Sequence, residues 1–116
     1  MKRGEVVLVA VPYVGAAGFK VRPAVVLQND LLNNSIQETI IAAVTSNLAN
    51  SHQPYRFLID VSTPAGKATG LLMDSVVRGE RLHTVAQSDI RKVIVTLPPT
   101  LVSRLNDCLR SALGIS

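Results

Sequence analysis

The sequence predicts a mainly β (α+β) domain, in which six to seven short strands form a small barrel and one amphipathic helix follows them. Short apolar runs rich in Val and Ile are bounded by Gly, Pro and Asn, which is the pattern of strands in an antiparallel sheet. After Pro99 the spacing of apolar residues becomes helical. A chain of 116 residues can bury one core, so we expect a single domain over residues 1–116.

Composition excludes several classes of protein. Apolar residues make up 47% of the chain and charged residues 17%, which excludes a disordered chain. One cysteine gives no disulfide framework, and one cysteine with two histidines cannot build the usual zinc site. No apolar run approaches the roughly 20 residues that span a bilayer, and no signal peptide is predicted, so we expect a cytoplasmic protein that does not bind membranes. The net charge of +4 favours a polyanionic partner.

The first half of the chain predicts three strands. Gly4–Pro12 is rich in Val and lies between a Gly and a Pro. A glycine-containing loop is expected over Tyr13–Lys20, followed by a strand over Pro23–Asn29, whose proline lacks an amide donor and suits a strand start. Asp30–Gln37 is a turn-rich connector, and Glu38–Ser46 is a strand with both faces buried.

The second half predicts shorter strands. Tyr55–Val61 alternates in character, so one of its faces should be more buried than the other. A loop is expected over Ser62–Gly70. Leu71–Val77 and Leu82–Val85 are short apolar runs, and Gly79 between them predicts a bulge or bend.

The end of the chain predicts a helical turn over Ser88–Arg91, a last strand over Lys92–Leu97, and then the helix. Pro99 suits the first helical turn, where its missing amide costs nothing, and Gly114 suits a helix terminus. Four apolar residues follow helical spacing, with charged residues elsewhere on the wheel: Val102, Leu105, Leu109 and Leu113.

Polar side chains at the ends of apolar strands are the candidates for chemistry. Arg22, preceded by Lys20, lies at the entrance of an apolar strand, and its planar guanidinium can donate two parallel hydrogen bonds to a phosphate. Thr45 ends another apolar strand and is followed by further polar residues. A cation and a hydroxyl donor are what a phosphodiester site needs. The plainer alternatives are a solvated charge at Arg22 and an ordinary strand residue at Thr45.

Two histidines and the cysteine are the other residues whose side chains could carry chemistry. His83, near Glu80, could carry protons near neutral pH, or be a half-exposed strand histidine. His52 lies in a polar loop and is interpreted as solvated surface. Cys108 lies near the apolar side of the helix and is expected to be buried and inert.

The order of these features resembles the MazF/PemK (Kid) toxins of bacterial toxin–antitoxin systems. The matching pieces are Arg3-Gly4-Glu5-Val6, Val21-Arg22-Pro23-Ala24-Val25-Val26-Leu27-Gln28-Asn29-Asp30, Ile40-Ile41-Ala42-Ala43-Val44-Thr45-Ser46, Asp74-Ser75-Val76-Val77 and Ala112-Leu113-Gly114-Ile115. Each piece alone is common. Five pieces in the right order and spacing, over nearly the whole chain, are specific.

The resemblance implies an SH3-like β-barrel with a C-terminal helix, forming a homodimer. It further implies an endoribonuclease that needs no metal or other cofactor, cuts single-stranded RNA, chiefly mRNA, and is blocked by a cognate antitoxin protein. The family's catalytic arginine and threonine fall on Arg22 and Thr45, and its acidic residue falls on Glu80. We take Glu80 and His83 as candidate proton carriers. The candidates for RNA binding are Phe19, Lys20, Gln28, Asn29, Ser46 and Arg81.

The sequence departs from the family in one stretch that lines the RNA groove. Arg81, Leu82 and His83 stand where the family usually has Gln, Ile and Arg, so the cleavage sequence cannot be carried over. The entry to the last helix, at Pro98, also lacks the usual serine cap. Two other functions remain open at this point: a CcdB-like toxin that binds DNA gyrase and cleaves nothing, and an inactive module that binds RNA or protein.

Overall fold

The structure, a computed structural model, describes residues 1–13 and 15–116; Val14, inside the predicted Tyr13–Lys20 loop, lies outside the described residues. In chain order the elements are β1 (Glu5–Pro12), β2 (Phe19–Val26), α1 (Asp30–Ser35), β3 (Glu38–Thr45), β4 (Arg56–Ile59), α2 (Pro64–Lys67), β5 (Ser75–Ala86), a 3₁₀ turn (Gln87–Asp89), β6 (Ile90–Thr96) and α3 (Pro99–Leu113). The prediction of a mainly β domain with a C-terminal helix is confirmed.

The strands form one antiparallel sheet in the order β4-β5-β3-β2-β1-β6. Within the described residues β4 and β6 do not pair with each other, so the hydrogen-bonded ladder of this small barrel is open between those two strands. One edge is short, because β4 has only four residues and pairs with only the first part of β5. All other neighbouring strands in this order are paired antiparallel, as in a small barrel.

The sheet carries a core on each face. On one face, α3 buries Leu101, Leu105 and Cys108 against side chains that include Val44 and Phe57. On the other face, a cluster without α3 gathers Val7, Val9, Val11, Ala24, Val26 and Ile41. Strands β1, β2 and β3 contribute to both clusters, which is why their sequences are almost continuously apolar.

A bulge in β5 determines which side chains reach the second face. Val44 pairs with Val77 and Ala42 pairs with Leu82, so two steps along β3 match five steps along β5. Because side chains alternate between faces with a period of two, these extra residues change which positions point to a given face. The even-numbered Arg78 can therefore share a face with odd-numbered residues that lie further along β5.

Gly79 lies in this bulge because a side chain would not fit there. A Cβ at this position would lie 2.6 Å from the Tyr55 carbonyl oxygen and 2.6 Å from Cys108 Sγ. The same carbonyl accepts hydrogen bonds from Gly79 N (2.9 Å) and from the Cys108 thiol (2.8 Å). Burial raises the pKa of the Cys108 thiol, which keeps the donating proton in place. The bend predicted at Gly79 is thus confirmed, with close packing as its cause.

We therefore expect Gly79→Ala to lower the free energy of unfolding by about 3 kcal/mol, as overpacking does in a well-packed core. Urea unfolding followed by circular dichroism measures the change. Adding Cys108→Ala removes one of the two close contacts, so the double variant should be more stable than the sum of the single losses predicts. A Gly79→Ala protein as stable as the wild type would contradict the packing argument.

Several local predictions differ from the structure. The predicted connector Asp30–Gln37 contains α1, because Asn29 caps it by accepting a hydrogen bond from Leu31 N. The predicted loop Ser62–Gly70 contains α2, which starts at a proline after the cap Thr63. The two apolar runs predicted around Gly79 belong mainly to one strand, since residues 75–86 are continuous through the bulge.

The ends of other elements shift only slightly. Phe19 and Lys20, predicted as loop, begin β2 because they pair with Pro12 and Val11. Helix α3 is confirmed, and Gly114 ends it with a left-handed φ of 68°. Its cap residue, Pro98, makes no side-chain capping bond. Among the described residues, no helix combines the length and apolar character needed to cross a membrane.

Candidate functional site

A cleft of about 220 Å³ lies on the sheet face opposite α3, and we call it the cationic cleft. Strands β1, β2, β3 and β5, together with the residue after β1, contribute its walls. The lining residues are Val11, Pro12, Tyr13, Lys20, Arg22, Ala43, Val44, Thr45, Arg78, Arg81 and His83. Four of them are cations, and none of the described residues in the lining carries a carboxylate. Such a cleft attracts an anion.

Strand β2 positions the first two cations. Lys20 and Arg22 pair with Val11 and Val9 of β1, whose side chains belong to the core on this face. The alternation of β2 therefore directs both cations to the same face as Ala24. Arg22 is half-buried, and no ion pair within residues 1–13 and 15–116 involves either cation. A half-buried guanidinium that forms no ion pair among the described residues can bind a phosphate.

Thr45 ends β3 on the same face and lines the same cleft as Arg22. Its Oγ1 accepts a hydrogen bond of 3.1 Å from the backbone amide of Asn47. That bond uses a lone pair of the oxygen and leaves the hydroxyl proton free to donate. The structure therefore brings together a guanidinium and a hydroxyl donor that lie far apart in the sequence.

Strand β5 adds two cations from its bulge. Arg78 and Arg81 both lie between Val77 and Leu82, where the pairing with β3 is irregular, and both line the cleft. Arg78 was not among the predicted site residues, and neither was Tyr13. The charged run around Gly79 was the only signal for Arg78, but its orientation depends on the bulge register, which the sequence does not specify.

His83 also lines the cleft, opposite Ile41 of β3. Burial lowers the pKa of its imidazole below the usual 6.5, and the positive charge of Arg81 lowers it further. A histidine with a lowered pKa is neutral at pH 7 and can accept a proton. His83 is therefore the described residue of this cleft whose chemistry best fits a general base.

Glu80, the other candidate proton carrier, lies outside the cleft lining. Its Oε1 accepts a hydrogen bond of 2.8 Å from Arg56 Nε, and its Oε2 accepts one of 3.4 Å from Arg78 Nε. Both carboxylate oxygens thus face guanidinium groups. This arrangement suits an anchor for Arg78 better than a group that exchanges protons with a substrate.

The predicted RNA-binding residues fall into two groups. Lys20 and Arg81 line the cleft. Phe19 is 70% exposed beside Pro12 at the cleft wall, and Ser46 is exposed directly after Thr45.

Gln28 and Asn29 lie beyond the opposite end of β2, and the expectation that they contact RNA in this cleft is not supported. Gln28 is only 6% exposed, and its amide donates hydrogen bonds to Asn33 Oδ1 (2.9 Å) and to the Glu38 carbonyl oxygen (2.7 Å). Asn29 caps α1. These two polar side chains stabilise the turn after β2.

The predictions for Cys108 and His52 agree with the structure. Cys108 is buried, and His52 is exposed in the loop before β4. Within residues 1–13 and 15–116, no group of three or more His, Cys, Asp or Glu side chains is placed to hold a metal ion.

The chain is similar in sequence to toxins of one family. The family described as PemK-like, MazF-like toxin of type II toxin-antitoxin system matches residues 2–113. Endoribonuclease EndoA of Bacillus subtilis is 28% identical over 116 residues, which cover 99% of this chain and 96% of that protein. Endoribonuclease MazF2 of Mycobacterium bovis is 32% identical over 105 residues, covering 90% and 88%.

Solved structures share the fold. The Mycobacterium tuberculosis toxin MazF-mt6 matches with a TM-score of 0.78 and 16% identity, covering 97% of this chain and 98% of that one. A chain of a MazE–MazF structure from Deinococcus radiodurans matches with a TM-score of 0.71 and 23% identity, covering 100% of this chain and 98% of that one. With a match over residues 2–113 and the fold in agreement, this chain belongs to the PemK-like, MazF-like toxin family of type II toxin–antitoxin systems.

Proposed function

We propose that this protein is an endoribonuclease toxin that cuts single-stranded RNA, with mRNA as its main substrate class, and so inhibits translation and growth. Its relatives in the family carry the name endoribonuclease. The observation that carries the proposal is that Arg22 and Thr45 line one cleft with three further cations and His83. A phosphodiester needs this combination of positive charge and hydrogen-bond donors.

The proposed reaction is an intramolecular transesterification. The ribose 2′-oxygen forms a bond to phosphorus as the bond from phosphorus to the 5′-oxygen breaks, giving a 2′,3′-cyclic phosphate and a 5′-hydroxyl. His83 accepts the proton of the 2′-hydroxyl. Arg22 neutralises the negative charge that develops on the five-coordinate phosphorus of the transition state, and it supplies a proton to the leaving 5′-oxygen. Thr45 donates a hydrogen bond to a non-bridging oxygen. DNA lacks the attacking hydroxyl and should resist.

The proposal is tested by incubating the purified protein with a single-stranded RNA and with the DNA of the same sequence, both in EDTA. We expect fragments from RNA only, with cyclic phosphate and 5′-hydroxyl ends. Mapping those ends also identifies the cleavage sequence. Intact RNA would refute the proposal, and salt-dependent RNA binding without cleavage would favour an inactive module. The CcdB-like alternative has no support in the family match.

We expect kcat/KM for RNA cleavage to fall as the pH drops below the lowered pKa of His83, because the imidazole must be neutral to accept a proton. Arg81→Gln removes one cause of the lowered pKa, so this acidic limb should move to higher pH. The measurement is kcat/KM from about pH 5 to about pH 8. In His83→Ala the acidic limb should disappear along with most of the activity.

The same series tests Glu80. If Glu80→Ala retains the acidic limb, the limb does not belong to Glu80. A His83→Ala protein with the wild-type rate and profile would exclude His83 as the base.

The proposal extends to partners and location. Structures of relatives include a complex of an endoribonuclease with its cognate antitoxin. We propose that an antitoxin protein covers the cationic cleft with acidic or polar side chains. We also propose that the toxin works as a homodimer and that it acts in the cytoplasm, where mRNA is found.

Expression of the toxin alone should arrest growth, and co-expression of the neighbouring antitoxin gene should relieve the arrest; this experiment tests the pairing with an antitoxin. Sedimentation equilibrium tests the dimer.

A further inference from the structure

One carboxylate connects two arginines beside the cationic cleft. Arg56 on β4 and Arg78 on β5 are direct cross-strand partners. Glu80 lies between them, with 2.8 Å from Oε1 to Arg56 Nε and 3.4 Å from Oε2 to Arg78 Nε. Of these three residues only Arg78 lines the cleft.

Glu80 reduces the repulsion between the two arginines. Like charges directly opposite each other on neighbouring strands destabilise the pair and push the side chains apart. Glu80 offsets that repulsion and holds each guanidinium by its Nε. The three side chains are only 13%, 25% and 30% exposed (Arg56, Arg78, Glu80), so solvent screens the contacts less than at an open surface. Removing Arg56 would free Glu80 and, through it, Arg78.

Arg56 is itself fixed from a second side. Its Nη1 donates a hydrogen bond of 3.0 Å to the carbonyl oxygen of Ala49, in the segment that follows β3. Its guanidinium also lies 5.8 Å from the centre of the Tyr55 ring. A guanidinium held at two of its nitrogens has little rotamer freedom left, so the carboxylate that it binds is held in a defined position.

We propose that Arg56 is a positioning residue of the cationic cleft, acting through Glu80 to hold Arg78 where it meets the phosphate of a bound nucleic acid. Glu80 is then an anchor within this chain of contacts and not a proton carrier. The inference rests on the proposed RNA cleavage, and it assigns a role to a residue that does not touch the substrate.

The test is a double-mutant cycle on kcat/KM for RNA cleavage. We expect Arg56→Gln to lower kcat/KM about tenfold, within the range of measured couplings between contacting residues. Arg78→Gln should cost more. The double variant should match Arg78→Gln within about twofold, because Arg56 acts only through Arg78. Arg56→Lys keeps a cation within reach of Glu80 but cannot bond Glu80 and the Ala49 carbonyl oxygen in the same way, so it should recover only part of the loss.

Matched controls separate positioning from general damage. Arg110→Gln removes an exposed arginine from an ion pair with Asp107 on α3 and should leave the rate unchanged. Thermal unfolding of each variant reports stability. In Glu80→Gln the acidic limb of the pH profile should remain, since a positioning carboxylate exchanges no proton with the substrate.

Independent losses that multiply in the double variant, or a wild-type rate in Arg56→Gln, would overturn the proposal. If Arg56→Gln does not fold, Glu80→Gln, which interrupts the same chain of contacts, is compared in the two Arg78 backgrounds and should add no further loss to Arg78→Gln. If the wild-type protein leaves RNA intact, the proposed cleavage is refuted, but the positioning role of Arg56 can still be tested. The same double-mutant cycle is then measured on the Kd for a 2′-O-methyl RNA oligonucleotide, and additive losses of binding free energy would refute the positioning role.

Discussion

Replacing Arg22 by lysine should lower kcat/KM for RNA cleavage at least about a hundredfold, the lower end of the cost of losing one preformed donor to an oxyanion. Lysine keeps the positive charge, but its ammonium is a single point donor and cannot give two parallel hydrogen bonds to phosphate oxygens. The loss should appear mainly in kcat, because the charge that binds the ground state is preserved. Single-turnover cleavage of a short RNA with one cleavage site measures it.

The control for this variant is Arg110→Lys, the same exchange at an exposed helix position away from the cleft. Circular dichroism and thermal unfolding should show both proteins folded as the wild type is. Arg22→Lys with wild-type kcat would mean that the fork of the guanidinium has no part in the reaction, and the assignment of Arg22 as the catalytic cation would have to be abandoned.

Replacing Thr45 by valine should lower kcat by about a hundredfold to a thousandfold, since it removes a fixed donor to a non-bridging oxygen. Valine is close to threonine in shape and favours strands, so the sheet should persist. The change also removes the acceptor for Asn47 N, whose bond to Thr45 Oγ1 measures 3.1 Å. Thr45→Ser retains both the donor and the acceptor, and should keep most of the activity.

Thr84→Val is the matched control, because Thr84 is an exposed threonine of β5 that does not line the cleft. Its rate should equal that of the wild type. Equal rates in Thr45→Val and wild type would remove the hydroxyl from the mechanism. A loss in Thr45→Val that Thr45→Ser shares would point to packing at the end of β3 and not to hydrogen bonding.

Sequence patterns were most informative where the hydrophobic period was regular. The helix at the end of the chain followed from the spacing of residues such as Leu105 and Leu109 and from the terminating Gly114, and the structure confirms it. The short helices α1 and α2 were missed because six and four residues give too little periodicity, and their sequences, rich in Asn, Pro and Gly, also suit turns. The burial of Gln28 did not follow from the sequence, because a polar residue after a strand can be exposed or buried in a hydrogen-bond network.

The sequence by itself determined the class of the domain, the strand that presents Arg22 and the strand that ends in Thr45, because hydrophobic period and turn residues act locally. Only the tertiary structure decided that these two residues share a cleft, that Arg78 joins them, and that Glu80 faces two arginines. Those facts depend on strand order and on the register of the β5 bulge at Gly79. Register is set by packing between distant segments, here β3, β4 and α3 against β5, which no local pattern encodes.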